Sequence, residues 1–274
     1  MIQCKLCGST SFKPIYVDPA IEKCAKCELV RTKKTPHPNY RSYHRDVDYE
    51  NNEKLFRNIF LKRYKLIAGF TNKKGKVLEI GCSTGVFLEI FKQNSWDVVG
   101  IEPSQSGKVA EAKGIKVIKN SFEKVKFKSK FDLIILNHTL EHVEDPVFVL
   151  TKAQKLLSED GLLFVDVPNF DSFSSRLWGK RWKYLLPEEH VHHFTSWSLI
   201  KALEGSGLKP IYINTWTGVF DVDNPLQKIV TQITSGKPYL YKSFILDMLN
   251  LPFDILSTKI FHLGTNLVVI AKKP

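Results

Sequence analysis

From residue 76 to about 206 the chain alternates short apolar runs with longer amphipathic ones. The short runs, Val77–Ile80, Val98–Ile101, Lys116–Ile118, Leu133–Leu136 and Leu162–Val167, are expected strands. Helical spacing is expected between and after them, near 86–94, 105–113, 146–158 and 196–206. Strands that alternate with helices predict an α/β fold with a parallel sheet covered on both faces. Apolar strands this short are normally buried on both sides. Upstream, Tyr40 to Phe70 has helical periodicity, with Leu55, Ile59, Tyr64 and Ile67 near one face. The first residues read as a ribbon with strands around Phe12–Val17 and Leu29–Thr32, followed by the turn-rich linker Thr35-Pro36-His37-Pro38-Asn39. The end of the chain predicts a strand at Ile211–Thr215, an insertion at about 217–264 and a last strand at Asn266–Ala271. Three regions follow: a ribbon over 1–35, a linker and helical segment over 36–70, and an α/β domain over 71–274.

The 274 residues are enough for one large domain with a small appendage and for a core that needs no disulfides. The 43% hydrophobic and 25% charged fractions exclude wholesale disorder. No run of 18 apolar residues occurs, and Met1-Ile2-Gln3-Cys4 has no signal-peptide pattern, so the expected location is cytoplasmic. The net charge of +12 is uneven: residues 76–172 hold twelve basic and fourteen acidic side chains, whereas 1–45 hold nine and three. Basic flanks attract anions such as nucleotide-sugars, nucleic acid or acidic headgroups, and they are equally compatible with a solvated lysine surface.

Four of the five cysteines form the pairs Cys4-Lys5-Leu6-Cys7 and Cys24-Ala25-Lys26-Cys27. Two C-x-x-C turns sixteen residues apart have the spacing of a tetrahedral zinc site, and four thiolates leave no open coordination position. The expected ion is a structural Zn2+ held by Cys4, Cys7, Cys24 and Cys27.

The first strand of the alternating region runs into Glu79-Ile80-Gly81-Cys82-Ser83-Thr84-Gly85, and the next ends at Gly100-Ile101-Glu102. A strand, a glycine-bearing turn and a helix place a nucleotide-type ligand at the strand's carboxyl end, and an acid about 20 residues on accepts from ribose hydroxyls. The phosphate-cradling alternative lacks a Gly-Lys-Ser/Thr.

These residues resemble motifs I and II of the class I S-adenosylmethionine-dependent methyltransferases. The segment Phe131-Asp132 through Asn137-His138-Thr139-Leu140-Glu141-His142-Val143, with Asp145-Pro146 and Gly161 to Asn169, is similar to later motifs of that family. The zinc-ribbon front end is similar to the branch of sugar C-methyltransferases and envelope-glycan methyltransferases. Ser83 stands where the family often has a glycine. The resemblance implies a Rossmann-like methyltransferase sheet, mostly parallel with the last strand antiparallel, and S-adenosylmethionine as cofactor. It implies that Gly81, Cys82 and Gly85 line the cofactor's amino-acid end and that Glu79 orders the loop. Glu102 would hold the ribose, Asn120, Ser121 and Phe122 the adenine, and Asn137 and Thr139 the methionine moiety. Cys82 is expected as a packing residue rather than a nucleophile, and Phe122 is as much a core candidate as a contact.

Pro187-Glu188-Glu189-His190-Val191-His192-His193-Phe194-Thr195 packs three histidines and two acids into nine residues. It resembles the acceptor-side stretch of the sugar C-methyltransferases. The expected mechanism has His190, oriented by Glu189, removing the acceptor's proton while His193 helps to position it. A second metal site and a helix-capping role are the rival readings of these histidines. His138, Glu141 and His142 form another polar cluster, with turn stabilisation as the alternative to chemistry. Trp178, Arg181, Trp182 and Tyr184 suit stacking on a ring or a lid on the site.

The expected reaction is methyl transfer to a small acceptor, a sugar, nucleotide-sugar or glycan. The alternative is an RNA- or protein-directed enzyme, or a non-catalytic binding module, using the ribbon and the basic flanks. The segment Tyr239–Leu256 is too interrupted to span a bilayer and reads as a core or dimer helix, with peripheral membrane contact as its rival.

Overall fold

A computed structural model describes residues 3–33, 53–71, 73–216 and 263–274. The linker at 36–52 and the insertion carrying Tyr239–Leu256 lie outside these described residues.

The ribbon is built from β1 (Phe12–Tyr16), β2 (Ile21–Cys24) and β3 (Val30–Thr32). Helix α1 (Glu53–Ala68) precedes the main sheet. The alternation expected from the sequence follows, as β4 (Lys76–Ile80), α2 (Val86–Gln93), β5 (Asp97–Ile101), α3 (Gly107–Ala112) and β6 (Lys116–Ile118). Then come β7 (Phe131–Asn137), α4 (Pro146–Leu156), β8 (Leu157–Pro168) and the short α5 (Phe173–Trp178). The two-residue β9 (His192–His193), α6 (Ser196–Gly205), β10 (Lys209–Trp216) and β11 (Asn266–Lys272) complete the described elements.

Seven strands form one sheet in the order β6-β5-β4-β7-β8-β11-β10. Neighbours from β6 to β8 are parallel, and β11 runs antiparallel between β8 and β10. Because successive residues point to opposite faces, Leu78, Ile80, Ile134 and Leu136 pack in one core layer with Val149, Leu150 and Leu203. Val77, Leu133 and Ile135 fill the other layer with Ile59, Phe87 and Phe91. On that second face Phe60 stacks on Phe87 at 4.9 Å, which seats α1 over α2. Arg63 of α1 reaches the sheet and pairs with Asp166 of β8, both fully enclosed.

The strand expected at 162–167 begins five residues earlier, where exposed Glu159 and Asp160 carry no hydrophobic signal. The ribbon's sheet is extended from the second half of the chain: β9 joins its edge, giving the sheet order β1-β2-β3-β9, with Val30 opposite His193 and Arg31 opposite His192. No helix among the described residues is long and apolar enough to cross a membrane.

Candidate functional site

The loop after β4 turns sharply because Gly81 has φ +76°, and a Cβ there would stand 2.7 Å from Thr139 Oγ1. Thr139 in turn donates to the carbonyl of Ile80 at 2.8 Å, fixing the loop against the end of β7. Gly85, also left-handed, begins α2, and a Cβ there would strike Ile115 and Ala110. Between them Ser83 is held at φ +45°, a conformation that suits the glycine often found at this position. Its amide donates to Glu102 Oε2 at 2.9 Å, while Ser104 donates to Oε1 at 2.8 Å. Glu102 therefore ties the loop to the end of β5 and points its carboxylate along the loop.

Phe60, Glu79, Gly81, Cys82, Ser83, Thr84, Val86, Phe87 and Asn137 line a cleft there. Three buried polar atoms of that lining, Glu79 Oε2, Ser83 Oγ and Asn137 Oδ1, have no hydrogen-bond partner within the protein. Buried polar atoms are costly when unsatisfied, and a polar ligand in the cleft would satisfy them. Burial, reinforced by the Glu102 charge, pushes the Glu79 carboxyl well above the usual carboxylate range. Burial likewise raises the Cys82 thiol, with Glu79 and Glu102 adding to it, so Cys82 is an inert packing residue. The donor and acceptor set, the glycine cradle and the acid at the end of β5 fit S-adenosylmethionine, whose ribose and amino-acid ends need such partners.

Asn120 and Ser121 lie exposed or half-exposed after β6, where Asn120 Oδ1 accepts from the Ser121 amide at 2.9 Å. Phe122 is placed differently: its ring is buried in the core layer beneath, with the Lys152 ammonium 4.7 Å above it. The hydrophobic ring won a place in the core because the short turn after β6 directs it inward.

Past Asn137 the chain enters His138 at φ +52°, a left-handed residue that turns the chain off β7. His138 Nδ1 stands 3.3 Å from Glu141 Oε1, and its Nε2 is 3.7 Å from Asp166 Oδ1. Glu141 is 1% exposed. Burial alone would raise its pKa, but the His138 hydrogen bond and the charges of His142 and His138 outweigh that and lower it. Asp166 and Arg63 were not singled out in the sequence, where both read as ordinary members of a strand and a helix.

The histidine-rich segment Pro187 to Thr195 folds back onto this cluster. Val191 and His192 amides donate to the Glu141 carbonyl at 2.9 and 3.1 Å, and His142 Nδ1 lies 3.1 Å from the Glu189 carbonyl. The buried His190 ring packs edge-on to His142 at 4.7 Å. One ligand-type atom from each of Glu141, His142 and His190 lies within 4.8 Å of the others. Glu189 thus meets the cluster through its backbone. His193 faces the ribbon, with Nε2 3.1 Å from Thr32 Oγ1 and its ring 5.7 Å from that of Phe170. Burial depresses His193 to about 3 and His192 to about 4, so both are neutral. None of the three histidines caps α6; Thr195 does, in a reciprocal capping box with Ser198. The expected stacking group is partly dispersed: Trp182 is buried against Ile21, Val30 and Leu185, while Arg181 is exposed.

In the ribbon, Cys4 Sγ is 3.4 Å from Cys27 Sγ and Cys7 Sγ is 3.5 Å from Cys24 Sγ. All four sulfurs lie within 4.8 Å of one another, and none is in a disulfide. Ligands at about 2.3 Å from a tetrahedral ion are about 3.8 Å apart, so the donor set fits zinc. Against the desolvation of burial, hydrogen bonds from the Cys27 and Lys26 amides and contacts with Cys7 and Cys27 bring Cys24 down to about 7.

A family model described as "Methyltransferase domain" matches residues 49–213, more than half of the chain. An uncharacterized protein of Methanocaldococcus jannaschii is 29% identical over 140 residues, 50% of this chain and 66% of that one. The C-methyltransferase NovU of Streptomyces niveus is 29% identical over 146 residues, 51% of this chain and 34% of that one. A ubiquinone biosynthesis O-methyltransferase of Bradyrhizobium diazoefficiens is 25% identical over 171 residues, 54% of this chain and 67% of that one. The chain thus spans about a third of NovU and about two-thirds of the other two. A methyltransferase from Archaeoglobus fulgidus shares the fold at TM-score 0.57 and 19% identity, covering 82% of this chain and 99% of that one. One from Burkholderia thailandensis, with S-adenosylhomocysteine bound, covers 95% of this chain and 99% of its own at TM-score 0.52 and 14% identity. With a matching family model, the strand order above and a glycine-lined cleft whose loop is tied to Glu102, the chain belongs to the methyltransferase-domain family.

Proposed function

We propose that the acceptor is a sugar, nucleotide-sugar or glycan, that His190, supported by Glu189, promotes loss of its proton, and that His193 helps to position the acceptor. The observation that carries this reading is the continuity of the two halves of the site. Asn137 lines the cofactor cleft, the next residue His138 bonds to Glu141, and Glu141 groups with His142 and His190. The 29% identity to a C-methyltransferase over 146 residues is compatible with methyl transfer to carbon, and the basic flanks suit an anionic acceptor such as a nucleotide-sugar.

S-adenosylmethionine supplies an activated methyl, whose carbon–sulfur bond breaks as a bond to the acceptor forms. The protein's share is alignment and proton removal. Asn137, Glu79 and the 81–85 loop hold the donor end, Glu102 holds the ribose, and the His190 cluster faces the acceptor. The four ribbon cysteines would hold a structural zinc ion.

The test incubates the purified chain with S-adenosylmethionine and a panel of nucleotide-sugars and simple phenols, with mass spectrometry for a gained methyl. Methylation of a nucleotide-sugar is expected. His190→Ala is expected to lower turnover about 10²–10⁴-fold with S-adenosylhomocysteine affinity kept. Methylation of phenols alone overturns the acceptor class, and an active His190→Ala variant with lowered thermal stability overturns the role of His190.

A further inference from the structure

We propose that Glu141, His142 and His190 form a second metal site, which binds one first-row divalent cation through a carboxylate oxygen and two imidazole nitrogens. The three ligand-type atoms lie within 4.8 Å of one another, a spread that small side-chain rotations close onto one ion. Two histidines and one carboxylate are a donor set of borderline hardness, suited to Mn2+, Fe2+, Co2+ or Zn2+ rather than to Ca2+ or Mg2+.

The hydrogen-bond partners that orient the ligands are already in place. The Glu189 carbonyl can only accept, so the bond from His142 fixes the proton on Nδ1 and presents Nε2 as the ligating atom. His138 Nδ1 engages Glu141 Oε1, and the other oxygen, Oε2, is buried with no hydrogen-bond partner. A fully buried carboxylate with one bare oxygen is costly, and a cation supplies the missing partner. Backbone bonds from Val191 and His192 to the Glu141 carbonyl clamp together the two segments that carry the ligands. The ligands are therefore held by a rigid frame rather than by chance proximity.

Three protein ligands leave a coordination position for water or an acceptor oxygen, in contrast to the closed four-cysteine set of the ribbon. An ion there would acidify a bound hydroxyl, which gives His190 its part in proton loss as a ligand. Binding of the ion does not depend on the sugar reading above; its effect on the acceptor does.

The experiment loads the 274-residue chain with one equivalent of zinc to fill the cysteine site, then titrates Mn2+ under electron paramagnetic resonance. One bound Mn2+ per chain is expected, with nitrogen couplings from two imidazoles. Glu141→Gln and His142→Asn are expected to weaken it at least about 100-fold, since loss of a group that merely orients a ligand costs about 10–100-fold. S-adenosylhomocysteine binding in these variants reports that they fold. Absence of bound Mn2+ in the unmodified chain, absence of nitrogen couplings, or unchanged affinity in both variants overturns the site. A chain that binds the ion but methylates no sugar keeps this site and loses the acceptor reading; a sugar methylase that binds no ion does the reverse.

Discussion

The Thr32 hydroxyl donates to the carbonyl of His190 at 2.7 Å, although 158 positions separate the two residues. Thr32 is the last residue of the ribbon's third strand, and its amide also donates to the carbonyl of Val191 at 3.0 Å. The ribbon therefore holds the backbone of the acceptor-side segment directly.

Removing the ribbon's metal should act on that segment. Elemental analysis is expected to find zinc bound through Cys4, Cys7, Cys24 and Cys27, and Cys24→Ser to lose it. Metal-binding energy is folding energy in so small a unit, so the variant should expose β3 and β9 to hydrogen exchange while the 81–85 loop stays protected. Unchanged exchange at Val191–His193 in metal-free protein would show that the ribbon and the segment are uncoupled.

Glu102→Ala removes a charged acceptor that two loop amides already use. Affinity for S-adenosylhomocysteine is expected to fall by roughly 1.5–3 kcal/mol, the usual range for hydrogen bonds to a charged group. Titration calorimetry measures it, and an unaltered constant would remove Glu102 from the cofactor site.

Ser83 sits at φ +45°, where a Cβ is strained. Ser83→Gly releases that strain but gains unfolded-state entropy, so stability should rise by no more than about 1 kcal/mol. Ser83→Val, with a branched Cβ in the same conformation, should lower it by about 1–3 kcal/mol. Thermal melts of the pair separate a strained loop from a relaxed one, and equal melting temperatures count against the strain.

His192 and His193 are buried neutral, at about 4 and about 3 against an ordinary 6.5. A depressed histidine gives stability that is fully present above about pH 6.5 and lost as pH falls toward the folded value. Each such group then costs about 1.4 kcal/mol per pH unit in that window. Denaturant midpoints from pH 7 to pH 5 should fall, and His193→Gln should flatten the slope.

Local features were legible in the sequence. The C-x-x-C pairs, the glycine loop and Glu102 depend on spacings of a few to twenty residues, and the strands on runs of apolar side chains. The pairing of β9 with β3 was not, because a two-residue strand has no periodicity and its partner lies across the chain. The Arg63–Asp166 pair spans 103 positions, and each member sits in an element whose pattern already explains it. Phe122 shows the same limit from the other side: its position left core packing and ligand contact equally open, and its burial appears only in the completed fold. His142 and His190 come together only through the register between two loops.

Helix α1 supplies Phe60 to the wall of the cofactor cleft, and Arg63 anchors the same helix to Asp166. Those residues are less than one turn apart, so the wall cannot swing as a rigid flap without pulling a guanidinium out of a dry carboxylate contact. Any widening on this side of the cleft is therefore left to the Phe60 ring, and the helix behaves as a fixed jamb.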